Sequence, residues 1–310
     1  MSQIKELAII GGGIAGVSAA VYARRSGLDF IMFESKSIGG QALLMESVDN
    51  YVGLPLGSKG QDLAKLLSDT LTGLEIEAIP EEIEEIILKD SQVLLKTSKQ
   101  EYLTKSLIIA TGASFKKVGV KGEEEFAGKG VSYCAVCDGF FFRKKEVAVV
   151  GGGNTALEEA CYLADIASKV TLIHRRDQFR ALDYYQKGVF EKNNIEVVFD
   201  TVIEEIKGKD FLEHLVLKNV KTNEKSNLHL NGLFVAVGIK PCTDLLKDKV
   251  KTDEAGFIIT DEGMQTSSPL IWACGDCRSR PLKQLITAAS EGATASMGVY
   301  KYLKGHYISA

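Results

Sequence analysis

An α/β fold of two three-layer domains, one inserted into the other, is predicted by three observations. Two units of strand, glycine turn, helix and strand recur at a constant offset, opening at Gly11 and Gly151, which makes both domains Rossmann-like. Each unit begins on a near-continuous apolar run, the pattern of a parallel strand covered on both faces. Two further apolar runs that end in glycine, Leu107–Ala110 and Leu270–Cys274, look like partners of the first unit yet lie on either side of the second. The first domain is therefore expected to be discontinuous, 1–113 and 243–310, with 114–242 inserted.

Bulk composition narrows the function classes. A chain of 310 residues is long enough for two cores. With 45% hydrophobic and 25% charged residues it has an ordinary globular composition. A net charge of −4 gives no reason to expect nucleic acid or an anionic membrane surface as partner. Thirty glycines against five prolines point to tight turns and close backbone–ligand approach rather than disordered linkers. No run resembles a signal segment or a membrane span, so a cytoplasmic location is expected. Six cysteines are too few for a secreted disulfide scaffold, and in a reducing compartment a close pair is catalytic or metal-binding.

In the first unit, Glu6–Ile10 reads as a strand, Gly11-Gly12-Gly13-Ile14-Ala15-Gly16 as the turn, and Val17–Ser26 as a helix stopped by Gly27. Asp29–Phe33 is the next strand and ends in Glu34. Gly11, Gly13 and Gly16 let the backbone approach a pyrophosphate, with Ile14 and Ala15 of the same turn beside it, the helix N-terminus favours its charge, and Glu34 accepts ribose hydroxyls. The site reads as one for FAD or NAD. In the second unit Glu146–Val150 is a strand, Gly151-Gly152-Gly153-Asn154-Thr155-Ala156 the turn, Ala156–Ala167 a helix and Lys169–Ile173 a strand. Ala156 replaces the third glycine, a small-residue variant of the pattern.

The spacing from Gly11 to Gly151 equals that from Glu34 to His174, so the position of the acid is taken by His174, followed by Arg175 and Arg176, with Arg180 in reach. A cationic cluster there suits a 2′-phosphate, which an acid would repel, and so points to NADPH at Gly151, Gly153, Asn154 and Thr155.

Cys134-Ala135-Val136-Cys137-Asp138-Gly139 lies just ahead of the second unit, in the inserted domain. C-x-x-C spacing allows a small-ring disulfide and lowers one thiol's pKa, and Asp138 is a candidate acid/base for the leaving thiolate. The competing reading is zinc, because Cys274 and Cys277 form a second C-x-x-C. The two pairs fall in different predicted domains, which favours redox chemistry and no metal.

Together these elements resemble the low-molecular-weight thioredoxin reductases along essentially the whole chain. The matching pieces are Gly11–Gly16, Gly39-Gly40-Gln41, Ala110-Thr111-Gly112, Cys134–Gly139, Gly151–Ala156, His174-Arg175-Arg176 with Arg180, and Gly275-Asp276 with Gln284. The resemblance implies a homodimer that passes electrons from NADPH through FAD to its own disulfide and on to thioredoxin or a thioredoxin-like protein. It also implies that Gly40, Gln41 and Asn50 approach the flavin, that Asp276 bonds the ribityl chain and Gln284 the isoalloxazine edge, and that Cys137 is placed against the flavin. The disulfide and the nicotinamide, sharing one domain, would then take turns at the flavin. Three positions depart from the family pattern: Ile14 stands for a proline, Lys283 for an arginine before Gln284, and Cys274 for a small residue. A non-catalytic flavin-binding sensor is the rival class, and an intact cysteine pair beside a complete nucleotide turn argues against it.

Overall fold

The computed structural model of the protein describes residues 4–45 and 48–305. The chain divides into two compact units, one of Met1–Ser114 with Lys240–Ala310 and one of Phe115–Ile239.

The first unit opens with β1 (Leu7–Ile10), α1 (Ile14–Arg25), β2 (Phe30–Phe33), α2 (Gly60–Gly73) and β3 (Ala78–Ile79). The strands β4 (Glu85–Lys89), β5 (Gln92–Lys96) and β6 (Glu101–Thr104) follow, then β7 (Leu107–Ile109). The chain passes through β8 (Ala113–Phe115) into the second unit, which begins with β9 (Val131–Ser132), α3 (Ala135–Asp138), β10 (Glu146–Gly151) and α4 (Asn154–Ala164). It continues with β11 (Lys169–Ile173), α5 (Asp183–Phe190), β12 (Ile195–Val198), β13 (Thr201–Gly208), β14 (Leu212–Asn219), β15 (Lys225–His229) and β16 (Gly232–Ala236). After β17 (Ile239–Pro241) the first unit is completed by β18 (Ile271–Ala273) and α6 (Leu285–Lys304).

Both units have one design. The first holds a parallel sheet in the order β18-β7-β1-β2-β3 and the second one in the order β12-β11-β10-β16-β9. Each also has an antiparallel meander, β4-β5-β6 or β13-β14-β15. Side chains alternate across the sheet, and this sorts each unit into three layers. Leu7 and Ile9 of β1 join the core with α1, α2 and α6, while Ala8 and Ile10 join the one with β4 and β5. In β10, Val147 and Val149 face α4 and α5, and Ala148 and Val150 face β13 and β14. The apolar runs are thus unbroken because both faces are covered.

The helices after the two glycine turns start earlier than expected, at Ile14 and Asn154, because Gly13 and Gly153 are themselves the N-caps. The small residues of α1 let α6 approach to backbone contact. A Cβ on Gly292 would lie 2.0 Å from the Ala15 carbonyl oxygen, and Ser18 Oγ donates to the Ala289 carbonyl at 2.6 Å. No helix among the described residues is long and apolar enough to cross a membrane.

Candidate active site

The first glycine turn joins β1 to α1. Gly11 has φ +114°, and a Cβ there would lie 2.3 Å from the Ala110 carbonyl oxygen; one on Gly16 would lie 1.8 Å from that of Gly11. Both positions require glycine for the strand, β7 and the helix to close on one another. Gly13 differs, because no atom lies within 4 Å of where its Cβ would stand. That open side faces a helix start with no side-chain cap, and it fits the approach of a dinucleotide pyrophosphate. Ile14 and Ala15 bury their side chains in the core, which leaves only their main chain for a ligand.

The other expected residues of this unit gather at the same edge of the sheet. Glu34 Oε2 accepts the Gly12 N–H at 2.5 Å and Oε1 the Lys36 N–H at 2.8 Å, which holds the carboxylate beside the turn. Gly39 donates its N–H to the Gly12 carbonyl at 2.9 Å, and a Cβ on Gly40 would stand 3.1 Å from Gly13 Cα. The loop carrying Gln41 therefore lies against the turn, and the Gln41 amide donates to the Ala113 carbonyl. Ala110, Thr111 and Gly112 follow β7, with Thr111 Oγ1 donating to the Cys242 carbonyl at 2.6 Å. Asn50 Nδ2 donates to Gln284 Oε1 at 3.0 Å, bringing together two residues 234 positions apart.

Asp276 is held by a network that no motif announced. It sits in a 3₁₀ turn, Gly275–Cys277, directly after β18. Arg280, whose side chain is 4% exposed, pairs with Asp276 and also reaches Glu291 Oε1 at 3.0 Å. Arg278 binds that same oxygen at 2.6 Å, and Glu291 Oε2 accepts the Gly275 N–H at 2.8 Å. Lys283 Nζ donates to the Asp276 and Arg278 carbonyls at 3.2 and 2.9 Å and lies 3.9 Å from the Phe257 ring centre. Burial pushes the Lys283 pKa down, and its ammonium braces the turn. Glu291→Gln would leave two buried guanidiniums with one carboxylate, and breaking such a pair from one side costs about 3–5 kcal/mol. We expect a lower urea midpoint and poorer retention of bound nucleotide; unchanged values of both would refute the keystone role of Glu291.

Cys274 and Cys277 are fully buried, with Cys277 Sγ bonding the Cys274 carbonyl at 3.2 Å. Burial pushes the Cys277 thiol up to about 11 and that of Cys274 well above its ordinary value, so both are packed thiols. Among the described residues no group of three or more His, Cys, Asp or Glu side chains is arranged to hold a metal ion.

In the second unit Gly153 is the N-cap of α4, again with nothing within 4 Å of its Cβ position. The side chain of Ala156 takes the third glycine's place, 2.5 Å from where a Cβ on Gly151 would stand. Asn154 Oδ1 accepts the Leu182 N–H at 2.9 Å and the Arg180 N–H donates to the Gly152 carbonyl at 2.8 Å, so the segment after β11 folds over the turn. Thr155 is exposed in the first turn of α4. Arg175, Arg176 and Arg180 are exposed, and among the described residues none of them is ion-paired. Three exposed guanidiniums outside any ion pair, on the segment that folds over the turn, suit a phosphate.

His174 corrects the expectation for this cluster. It is 4% exposed, and its Nδ1 and Nε2 face the carbonyl oxygens of Gly151 at 2.8 Å and Gln178 at 3.0 Å. A Cβ on Gly152 would fall 2.1 Å from the ring. Burial pulls its pKa down, the two carbonyls oppose this, and Arg180 and Arg176 add to the fall. The imidazole is a wedge that shapes the turn, with no nitrogen left for a ligand.

Cys134 and Cys137 form a disulfide with a Cα–Cα distance of 5.3 Å. Cys134 is the N-cap of α3, and its Sγ accepts the Cys137 N–H at 3.2 Å. The Cys134 N–H donates to Ser132 Oγ at 3.1 Å, and Ser132 Oγ donates to Asp138 Oδ2 at 2.5 Å, tethering Asp138 beside the pair.

Comparison with known proteins agrees with this geometry. Residues 5–292 match the family model for pyridine nucleotide-disulphide oxidoreductases. The chain is 40% identical to a thioredoxin reductase of Peptoclostridium acidaminophilum over 99% of both chains. It is 42% identical to one from Helicobacter pylori, covering 97% of this chain and 99% of the relative. The crystal structure of thioredoxin reductase from Streptococcus pyogenes superposes with a TM-score of 0.94 at 40% identity, covering 99% of this chain and 100% of that one. The chain belongs to the pyridine nucleotide-disulphide oxidoreductase family, in the group of the low-molecular-weight thioredoxin reductases.

Proposed function

We propose that the chain is an NADPH-dependent thioredoxin-disulfide reductase that carries FAD on its first unit and works as a homodimer in the cytoplasm. One observation carries this reading: the Cys134–Cys137 disulfide is built on the same unit as a glycine turn that is followed, after β11, by the exposed Arg175, Arg176 and Arg180. The first unit has Glu34 where the second has this cationic segment, so the first suits ribose hydroxyls and the second a 2′-phosphate. The names of the whole-length relatives support thioredoxin as the partner.

When bound, the flavin supplies a two-electron carrier between the nicotinamide and the disulfide. Gly13, on its open side, would admit the pyrophosphate while Gly11 and Gly16 close the turn, Glu34 would hold the ribose, and Asp276, held by Arg280, would bond the polar chain between. Gly153 would admit the second dinucleotide while Gly151 closes the turn, with Asn154 and the Arg180 main chain holding the segment after β11 beside it. On accepting the electron pair, the disulfide bond breaks and leaves two sulfurs. Charge on Cys134 Sγ is met by the Cys137 N–H, and Asp138, held by Ser132, is the acid for a leaving sulfur. A thiolate of the pair then attacks the partner disulfide, forming a mixed disulfide and releasing one partner sulfur. The second sulfur of the pair closes the original disulfide and frees the partner as a dithiol.

The test is a coupled assay of the purified yellow protein with thioredoxin and a chromogenic disulfide, run with NADPH and with NADH. Thioredoxin-dependent colour with a strong preference for NADPH is expected. No colour with either nucleotide would overturn the activity, and equal rates would overturn the cofactor assignment.

A further inference from the structure

Glu159 is a half-buried acid that none of the motifs contains. It lies on α4, and its Oε1 accepts the N–H of Ala135, the residue that follows Cys134, at 3.4 Å. Its Oε2 is buried with no hydrogen-bond partner. An ionised carboxylate in that position gives up far more hydration at that oxygen than a protonated one does. Burial pushes its pKa up to about 7; the Ala135 N–H opposes this and Glu158, on the same helix, adds to it. The elements packed against α4 bring further charged groups: Asp138 on α3, Glu146 on β10, Lys169 on β11, Asp183 and Lys187 on α5, and Glu196 on β12.

We propose that Glu159 takes up a proton when the Cys134–Cys137 disulfide is opened, and so is a positioning residue that ties reduction of the pair to pH. The inference rests on the reading of this pair as the redox centre. A disulfide is neutral, but an opened pair with one ionised sulfur places a new negative charge on α3, against the segment that Glu159 contacts. Like charge raises a carboxyl's hold on its proton. Starting from ionised Glu159, two electrons from the reductant and two protons from solvent break the S–S bond. The products are one thiol, one thiolate and a neutral Glu159 carboxyl. Reoxidation returns both electrons to the acceptor and both protons to solvent. The sign follows from the carboxyl's pKa in the disulfide form. Below it Glu159 is already protonated and reduction needs no extra proton; above it reduction consumes one and becomes harder as pH rises.

The test compares the wild-type flavoprotein with Glu159→Gln, a fixed neutral isostere, in mixtures of reduced and oxidised dithiothreitol from about pH 6 to about pH 8.5. Free thiols at Cys134 and Cys137 are counted by alkylation and mass spectrometry. The two proteins should be equally reducible at the acid end. At the alkaline end the Gln variant should be the more readily reduced, by about tenfold for each unit by which reduction raises the Glu159 pKa. Curves that run parallel throughout would overturn the proposal. A wild-type pair that ignores dithiothreitol would overturn the reading of the pair itself. Should the Gln variant not fold, infrared difference spectra of the wild type at neutral pH carry the test. The carbonyl band of a newly protonated carboxylic acid must appear on reduction and persist in Asp138→Asn; its absence from either protein refutes the assignment to Glu159.

Discussion

A Cys137→Ser variant will lose NADPH-driven thioredoxin reduction down to the uncatalysed background, while NADPH still bleaches its flavin at close to the wild-type rate. With one sulfur left there is no disulfide to accept the electron pair, and a mixed disulfide with the partner has no second thiol to resolve it. The substitution is nearly isosteric and leaves the main-chain N–H that donates to Cys134 Sγ. Neither glycine turn nor any of the exposed arginines is touched. The measurement pairs rapid-mixing absorbance of the flavin with the thioredoxin-coupled assay. Loss of both activities would mean that the pair is structural, and survival of thioredoxin reduction would remove it from the electron path.

Arg175→Ala combined with Arg176→Ala should raise the Michaelis constant for NADPH roughly ten- to a hundredfold for each bond to the phosphate that is removed, and leave that for NADH nearly unchanged. Each such charge-assisted bond is worth about 1.5–3 kcal/mol. Both side chains are exposed and outside any ion pair among the described residues, so stability should move by no more than about 0.5 kcal/mol. The ratio of kcat/KM for the two nucleotides is the readout. An equal loss with both would place these arginines outside the 2′-phosphate site.

Much of this architecture can be read from the chain because its signals are local. A buried parallel strand must be apolar throughout, and a glycine turn that lets strand and helix close leaves few residue choices, as Gly11 and Gly16 illustrate. Other parts are not legible, each for a physical reason. Spacing puts His174 at the discriminating position but carries no information on side-chain direction, and two backbone carbonyls turn its ring inward. Arg278 and Glu291 are 13 positions apart and meet only because the turn after β18 folds back on α6. Glu159 stands in a Glu-Glu pair that looks like a solvated helix face, whereas Glu158 is exposed and Glu159 has a buried oxygen. The meanders escape a reading of the sequence because their half-buried strands mix apolar with charged residues and so stand out weakly against the strong apolar runs of the parallel sheets.

The split first unit bears on how the protein comes off the ribosome. The second unit is contiguous, so every strand and helix it needs has been translated before β18 exists. The first unit waits, and until Ile271 pairs with Leu107 the strand β7 is an open edge with unpaired N–H and C=O groups. At ordinary elongation rates that interval is roughly ten to thirty seconds. Asp276, Gln284 and Glu291 arrive later still. A nascent chain can thus own its disulfide and its arginines well before it can own a flavin, and a premature stop before β18 would release a finished relay with no source of electrons.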